Sequence, residues 1–454
     1  MTFPAIRPRP FVRHCLVSTG FALTLALAAC GGGSGGASAS CPLPEQKSWL
    51  AGYMDDWYFW YALKPSPDPN DTAFDSIDKF FAAELYQGTS ATFPKDRWSF
   101  LQTSNSFEQF FGEGKTLGYG VSVAGLEVAG QPDQPLRVRY VEPASPAAGQ
   151  IQRGETIVSI NGKTSSELIG ANDFSLLTPA KEGDVISLVV RNGAGVERTV
   201  SIAAAVFTLT PVSDSATLVT PHGTKVGYVV LKDFISQSLP ALDAAFTQFK
   251  AAGVHELVLD LRYNGGGLIS VADALASYAV GPSAVDQPFA QLIYNDKHAS
   301  SNTVHRFAAK AAALGVARVY VLTGQRTCSA SELVINGLKP FVEVVQVGDT
   351  TCGKPVGFLP TANCGTTYSA VNFESQNASG VGRYWNGLAP SCPAADDLDH
   401  ALGDAAERLT ATALAHVDSG ACPPVASARE LPQAVRCDAR APPEPGEWRG
   451  MIDR

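Results

Sequence analysis

Ser329 and Lys354 are the residues of this chain best suited to do chemistry together. They stand twenty-five positions apart, in Arg326-Thr327-Cys328-Ser329-Ala330-Ser331-Glu332 and Thr351-Cys352-Gly353-Lys354-Pro355-Val356-Gly357. A serine hydroxyl attacks a carbonyl only after a base accepts its proton, and a lysine amine can be that base where an apolar pocket disfavours its charged form. A Ser-Lys pair is therefore a working substitute for Ser-His-Asp. Both residue types are common, so the spacing needs support from elsewhere. Leu257-Val258-Leu259-Asp260-Leu261-Arg262-Tyr263-Asn264-Gly265-Gly266-Gly267 supplies it, reading as a buried strand that empties into a triple-glycine turn. Amides in such a turn can converge on one point and stabilise a developing oxyanion, with the Ala330 amide beside the nucleophile as the other donor. A plain strand-to-helix turn has the same local pattern.

Taken in order, Asp260 to Gly267, Ser329-Ala330-Ser331-Glu332 and Gly353-Lys354 resemble the C-terminal processing peptidases, also called tail-specific proteases. The resemblance implies an α/β core of the crotonase or Clp type, a PDZ domain preceding it, and endoproteolysis of proteins near their C-termini. It implies that Ser329 is the nucleophile, Lys354 the general base, and Ala330 with Gly266 and Gly267 the oxyanion hole. Ser331 and Glu332 match the motif without an assigned role. One position departs from the pattern. Many members of the family carry, four residues after the lysine, a glutamine that orients the amine, and this chain has Phe358 there. Phe358 either desolvates Lys354 or simply packs in the core, and the third catalytic member is left open.

The elements that must position these residues follow from periodicity. Val226 to Leu231, Leu257 to Leu261, Arg318 to Leu322 and Val342 to Val347 read as buried strands, separated by helical stretches at Ala241 to Ala252, Ile269 to Ala279 and Ser331 to Pro340. That alternation predicts an α/β layering, with Ala395 to Val417 as a closing helix. Ser329 falls where a strand ends and a helix begins, so the helix N-terminus favours negative charge at the oxyanion. Upstream, Leu117-Gly118-Tyr119-Gly120-Val121 resembles the carboxylate-binding loop of PDZ domains, and Val141 to Ala148 with Gly154 to Gly162 resembles the rest of such a domain. The resemblance implies that Gly118, Tyr119, Gly120 and Val121 bind a substrate's terminal carboxylate while its tail adds as a strand. A spacer with a closed groove is the alternative. Earlier still, Trp49, Tyr53, Trp57 and Trp60, then Phe74, Ile77, Phe81 and Leu85, recur at helical spacing and predict two amphipathic helices.

The N-terminus bears on location. Arg7, Arg9 and Arg13 precede an apolar run from Cys15 to Ala28, the pattern of a secretory signal. Leu27-Ala28-Ala29-Cys30-Gly31 resembles the lipobox of bacterial lipoproteins, which implies lipidation at Cys30 and a lipid anchor in a bacterial envelope membrane. A signal cut further on is the alternative. Gly31 in place of an aspartate leans towards the outer membrane. On this reading residues 1–29 are a signal peptide and 30–40 a glycine and serine tether. The chain continues with an N-terminal helical domain at 41–103, the PDZ domain at 104–205 and the Ser-Lys peptidase core at 206–420. A tail at 421–454, rich in proline, arginine and acids, is expected to be poorly ordered.

The formal net charge is −9, and loss of the signal removes three arginines and no acids, which argues against a nucleic-acid partner. No histidine or cysteine spacing matches a metal site, and no cofactor motif is present, so neither metal nor cofactor is expected. Seven cysteines follow Cys30, an odd number, and a bridge involving Cys328 or Cys352 would pin the active-site loops. The sequence thus points to a periplasm-facing serine endopeptidase acting on protein or peptide substrates. Its competitor is a catalytically inactive PDZ-bearing scaffold that binds protein C-termini in the cell envelope.

Overall fold

The computed structural model describes residues 41–424 and 450–453. The signal peptide, Cys30, the tether and most of the tail lie outside the described residues.

The core is built on a sheet whose strands run in the order Val212–Val219, Lys225–Leu231, Glu256–Asp260, Arg318–Thr323, Glu343–Gly348 and Cys392–Pro393. All neighbours are parallel except the first pair. Side chains alternate across this sheet, and both faces are apolar, which is why the strands read as continuous hydrophobic runs. Val229, Leu257, Leu259, Val319 and Val321 enter the main core, whereas Tyr228, Val258, Tyr320 and Leu322 enter a second core on the other face. The second core is covered by the helix Arg408–Ser419. On the main face, the helices Leu239–Ala252, Ile269–Ala279 and Ala330–Leu338 contribute buried residues. A second sheet lies against that core, ordered Gly267–Leu268, Met451–Ile452, Val356–Phe358, Val371–Asn377, Pro288–Tyr294 and Thr303–Arg306.

The segment that resembles a PDZ domain has its own core, from Tyr119 to Ala204, in a sheet ordered Val121–Val123, Leu136–Val141, Thr156–Ile160, Val185–Arg191 and Glu197–Ala203. The helix Ser104–Phe111 belongs to the main core instead, burying Phe107, Phe110 and Phe111 there. No helix among the described residues is long and apolar enough to cross a membrane.

Three expectations are corrected. The N-terminal helices are Leu43–Trp57 and Ile77–Glu84, and Trp60 falls beyond the first, because the Phe59 amide is drawn to the Val371 carbonyl at 2.8 Å and the chain turns into an aromatic cluster. The closing helix begins only at Arg408: Asp397, Asp399 and Ala406 donate their amides to nearby aspartate side chains at 2.8 to 2.9 Å, and such local bonds compete with a helix. Finally, the tail is not uniformly loose. Met451 and Ile452 form a buried strand inside the second sheet.

Candidate active site

Ser329 caps the N-terminus of the helix Ala330–Leu338 with φ 61° and ψ −112°, a backbone conformation that costs a non-glycine residue about 1–3 kcal/mol. Three anchors hold it there. The Ser329 amide donates to Glu332 Oε2 at 2.9 Å, and the Leu333 amide to the Ser329 carbonyl at 2.8 Å. On the side of the glycine turn, the Asn264 carbonyl accepts from the Cys328 amide and from the Ser331 hydroxyl, both at 3.0 Å. Ser331 therefore ties the Ser329 turn to the glycine turn.

Glu332 ties the same turn to the lysine loop. Its Oε2 also accepts from the Lys354 amide at 2.8 Å, and its Oε1 from the Gly353 amide at 2.8 Å and from the Thr351 hydroxyl. The amides of Ser329 and Lys354 thus converge on one carboxylate oxygen. Burial pushes the Glu332 carboxyl above the usual range, while hydrogen bonds from Thr351 and from the Lys354, Ser329 and Gly353 amides pull it back. The disulfide Cys328–Cys352 adds a covalent link between the same two loops. A second disulfide joins Cys392 to Cys422, and Cys41 and Cys364 are also disulfide-bonded. Cys437 lies outside the described residues.

Lys354 is 1 % exposed, and its Nζ lies 3.8 Å from the centre of the Phe358 ring. Phe358 therefore covers the amine with its ring face. The Ser329 hydroxyl, fully buried, has no hydrogen-bond partner among the described residues, so the proton-transfer contact is unmade in this state. Such contacts often tighten only with substrate. The N-terminal domain supports the lysine loop from behind. Trp60 stacks on Trp98, Trp385 leans against both at a tilt, and the next turn supplies the Leu388 carbonyl to the Thr351 amide at 3.1 Å.

The glycine turn follows a strand end fixed by buried charge. Arg262 bonds Asp260 and Glu407 through both terminal nitrogens and Nε at 2.7 to 2.9 Å, and reaches Asp396 at 2.9 Å. Gly266 and Gly267 have φ of +111° and +137°, values that favour glycine. A Cβ on Gly266 would meet Ser329 Cβ at 2.9 Å and the Ala330 amide nitrogen at 3.0 Å, so the turn and the nucleophile share one small space. The two glycine amides are not equivalent. The Gly266 amide is spent on Asn264 Oδ1 at 2.8 Å, whereas the Gly267 amide points into the site and donates to the Gly450 carbonyl.

The PDZ loop stands apart from this cluster. Gly118 ends the strand Lys115–Gly118, Tyr119 and Gly120 form the turn, and Val121 begins the next strand, which is paired on one side only among the described residues. The Tyr119 carbonyl accepts from Ala147 at 3.1 Å, so the Gly120 amide in the same trans peptide points the opposite way. A cavity joins this loop to Tyr263 and Gly265 at the glycine turn. Gly120 has φ +83°, and a Cβ there would run into Ser145.

Residues 225–363 match the model of Peptidase family S41, residues 45–100 the Peptidase S41 N-terminal domain, and residues 110–191 the PDZ domain. The chain thus carries the core and the N-terminal domain of Peptidase family S41, with a PDZ domain between them. It is 29 % identical over 243 residues to a carboxyl-terminal-processing protease of Picosynechococcus, covering 52 % of this chain and 54 % of that protein. A C-terminal processing peptidase of the chloroplast of Tetradesmus obliquus is 28 % identical over 251 residues, covering 52 % and 51 %. The chain spans about half the length of the curated relatives it matches. Among solved structures, a Bacteroides fragilis protein assigned to the S41 proteases superposes with a TM-score of 0.63 at 25 % identity, over 82 % of this chain and 97 % of that one. For this S41 chain, motif reading located Ser329, Lys354 and the glycines, but found no role for Asn264, Ser331 or Glu332. Ser331 and Glu332 were visible as motif positions, yet their bonds join segments far apart in sequence.

Proposed function

We propose that the chain is a serine endopeptidase in which Ser329 is the nucleophile and Lys354 the general base, cleaving protein substrates in their C-terminal regions. The carrying observation is that one buried carboxylate, Glu332, holds the amides of both residues, with a disulfide beside it. Lys354 accepts the Ser329 proton as the hydroxyl attacks a peptide carbonyl, whose oxygen draws on the Gly267 and Ala330 amides and the helix N-terminus. Lys354 then gives the proton to the leaving amine, and water resolves the acyl-enzyme. The substrate tail is recognised by Gly118, Tyr119, Gly120 and Val121, and the cavity from that loop to Gly265 supports a path from recognition to cleavage. Ser329→Ala should abolish hydrolysis of an unfolded protein with the fold intact. Lys354→Arg should be as inactive, because a guanidinium keeps its proton at neutral pH. Wild-type turnover in either variant refutes the assignment.

The same reading places the enzyme in a bacterial cell envelope, anchored through Cys30 and facing the periplasm, with the outer membrane favoured by Gly31. The disulfides among the described residues suit an oxidising compartment. Wild-type protein should partition into detergent with lipid on Cys30 and Cys30→Ala should not; a soluble mature form beginning beyond Cys30 refutes the anchor.

A further inference from the structure

A short strand near the C-terminus lies against the glycine turn. Met451–Ile452 lies as a strand between Gly267–Leu268 and Val356–Phe358, parallel to both, with Met451 opposite Gly267 and Ile452 opposite Leu268 and Phe358. Both residues are buried, and the Asp453 amide continues the ladder to the Phe358 carbonyl at 3.2 Å. Asp453 is held by the Tyr294 hydroxyl at 3.4 Å and faces His305 Nε2 at 3.6 Å. An extended segment adding to a sheet edge is a recurring mode of peptide recognition.

Register matters more than occupancy. The Gly450 carbonyl accepts from the Gly267 amide, the donor aimed into the site. The point where a Cβ on Gly266 would stand is crowded by that carbonyl oxygen, by Ser329 Cβ at 2.9 Å and by the Ala330 amide nitrogen at 3.0 Å. The Gly450 carbonyl is therefore bonded to one oxyanion donor and borders the small space that Ser329 Cβ and the Ala330 amide nitrogen also border, and the strand after it runs along Phe358, whose ring covers Lys354.

We propose that the enzyme is its own substrate and cleaves the Gly450–Met451 peptide bond in cis, an activity that rests on the peptidase reading above. Ser329 Oγ bonds to the Gly450 carbonyl carbon, and the bond to the Met451 nitrogen breaks. The serine proton passes through Lys354 to the Met451 amine. Water then hydrolyses the Gly450 ester, leaving a Gly450 carboxylate and a free serine, with one water consumed. Gly450 has no side chain to place on the acyl side, and the buried Met451 side chain supplies the apolar contact on the leaving side. Cleavage vacates the groove for substrates in trans.

The test is mass spectrometry of the full chain, alongside turnover of an unfolded protein. Wild type should end at Gly450, and Ser329→Ala should retain the residues from Met451 onward. Ser329→Ala mixed with active wild type should stay uncut, and the half-time of wild-type cleavage should not change over a hundredfold dilution. Met451→Asp, which puts a charge into the buried position and so drives the strand out of the sheet, should slow self-cleavage tenfold or more, while the space opened by the displaced strand still admits the external substrate and its turnover persists. Wild type that digests the external protein yet keeps Met451 overturns self-cleavage and leaves the peptidase reading standing. Trimming of Ser329→Ala at the same bond assigns the cut to another protease and overturns it too. Wild type inert towards both substrates takes the peptidase reading down with it.

Discussion

Glu332 positions the loops of Ser329 and Lys354 rather than meeting substrate, yet replacing it should disable the proposed peptidase. Its carboxylate is fully buried and receives three amides and one hydroxyl, from the nucleophile turn and the lysine loop. Hydrogen bonds to a charged group contribute about 1.5–3 kcal/mol each, and the burial of the charge offsets a part of that sum. In Glu332→Gln the amide oxygen can keep the Ser329 and Lys354 amides, and the new NH2 can turn to the Thr351 hydroxyl, which can accept as well as donate. The Gly353 amide is then left unpaired. That loss, with three weakened bonds, comes to about 2 kcal/mol of stability. Glu332→Ala strands all four donors in a closed space and should cost about 3–5 kcal/mol. A shift of about 1 Å between nucleophile and base costs about a hundredfold in turnover, so kcat should fall about tenfold in the glutamine variant and a hundredfold or more in the alanine variant, with KM little changed. Urea unfolding in a Ser329→Ala background separates stability from autolysis, and kcat on an unfolded protein reads positioning. The sign with pH is also set. The Glu332 carboxyl is raised in the fold, so its proton stabilises the native state below the ordinary glutamate range. That contribution is lost as pH rises through the raised value, so wild-type stability relative to Glu332→Gln should decline over that interval. An alanine variant with wild-type kcat and unfolding midpoint would refute the reasoning.

Replacing Cys328 and Cys352 together by alanine opens a covalent loop with a sequence separation of 24 residues, worth about 3 kcal/mol to the fold. Denaturant midpoint and kcat should both drop, and unchanged values would mean that Glu332 alone positions the loops. Amidating the C-terminus of a tail-bearing substrate removes the charge that the Gly118 to Val121 loop is proposed to hold, so KM should rise severalfold while kcat stays. Equal KM for the amidated and free-acid forms would make the domain a spacer. A side chain at Gly120 is a poor substitute for that experiment, because it collides with Ser145 and would disturb the whole turn.

Some of this protein is local and therefore legible in the chain. The core strands and the helix Ile269–Ala279 follow from short runs of neighbouring residues whose burial is set by period, and Ser329, Lys354 and the glycines lie in compact motifs. What escaped has its cause elsewhere in the sequence. Trp60 continues a helical spacing, but the helix stops because a strand carbonyl from Val371 captures the next turn. Glu332 is an ordinary first-turn glutamate until the fold brings Thr351, Gly353 and Lys354 to it. Phe358 has two readings in the sequence, and only packing puts its ring on the amine. The two-residue strand Met451–Ile452 has no periodicity to detect: its structure is supplied by the two edges it enters, Gly267–Leu268 and Val356–Phe358. Sequence alone thus determined the elements and the reactive residue types, because propensity and periodicity act between near neighbours. Tertiary structure decided their environment, because burial and hydrogen bonding depend on groups that only folding brings together.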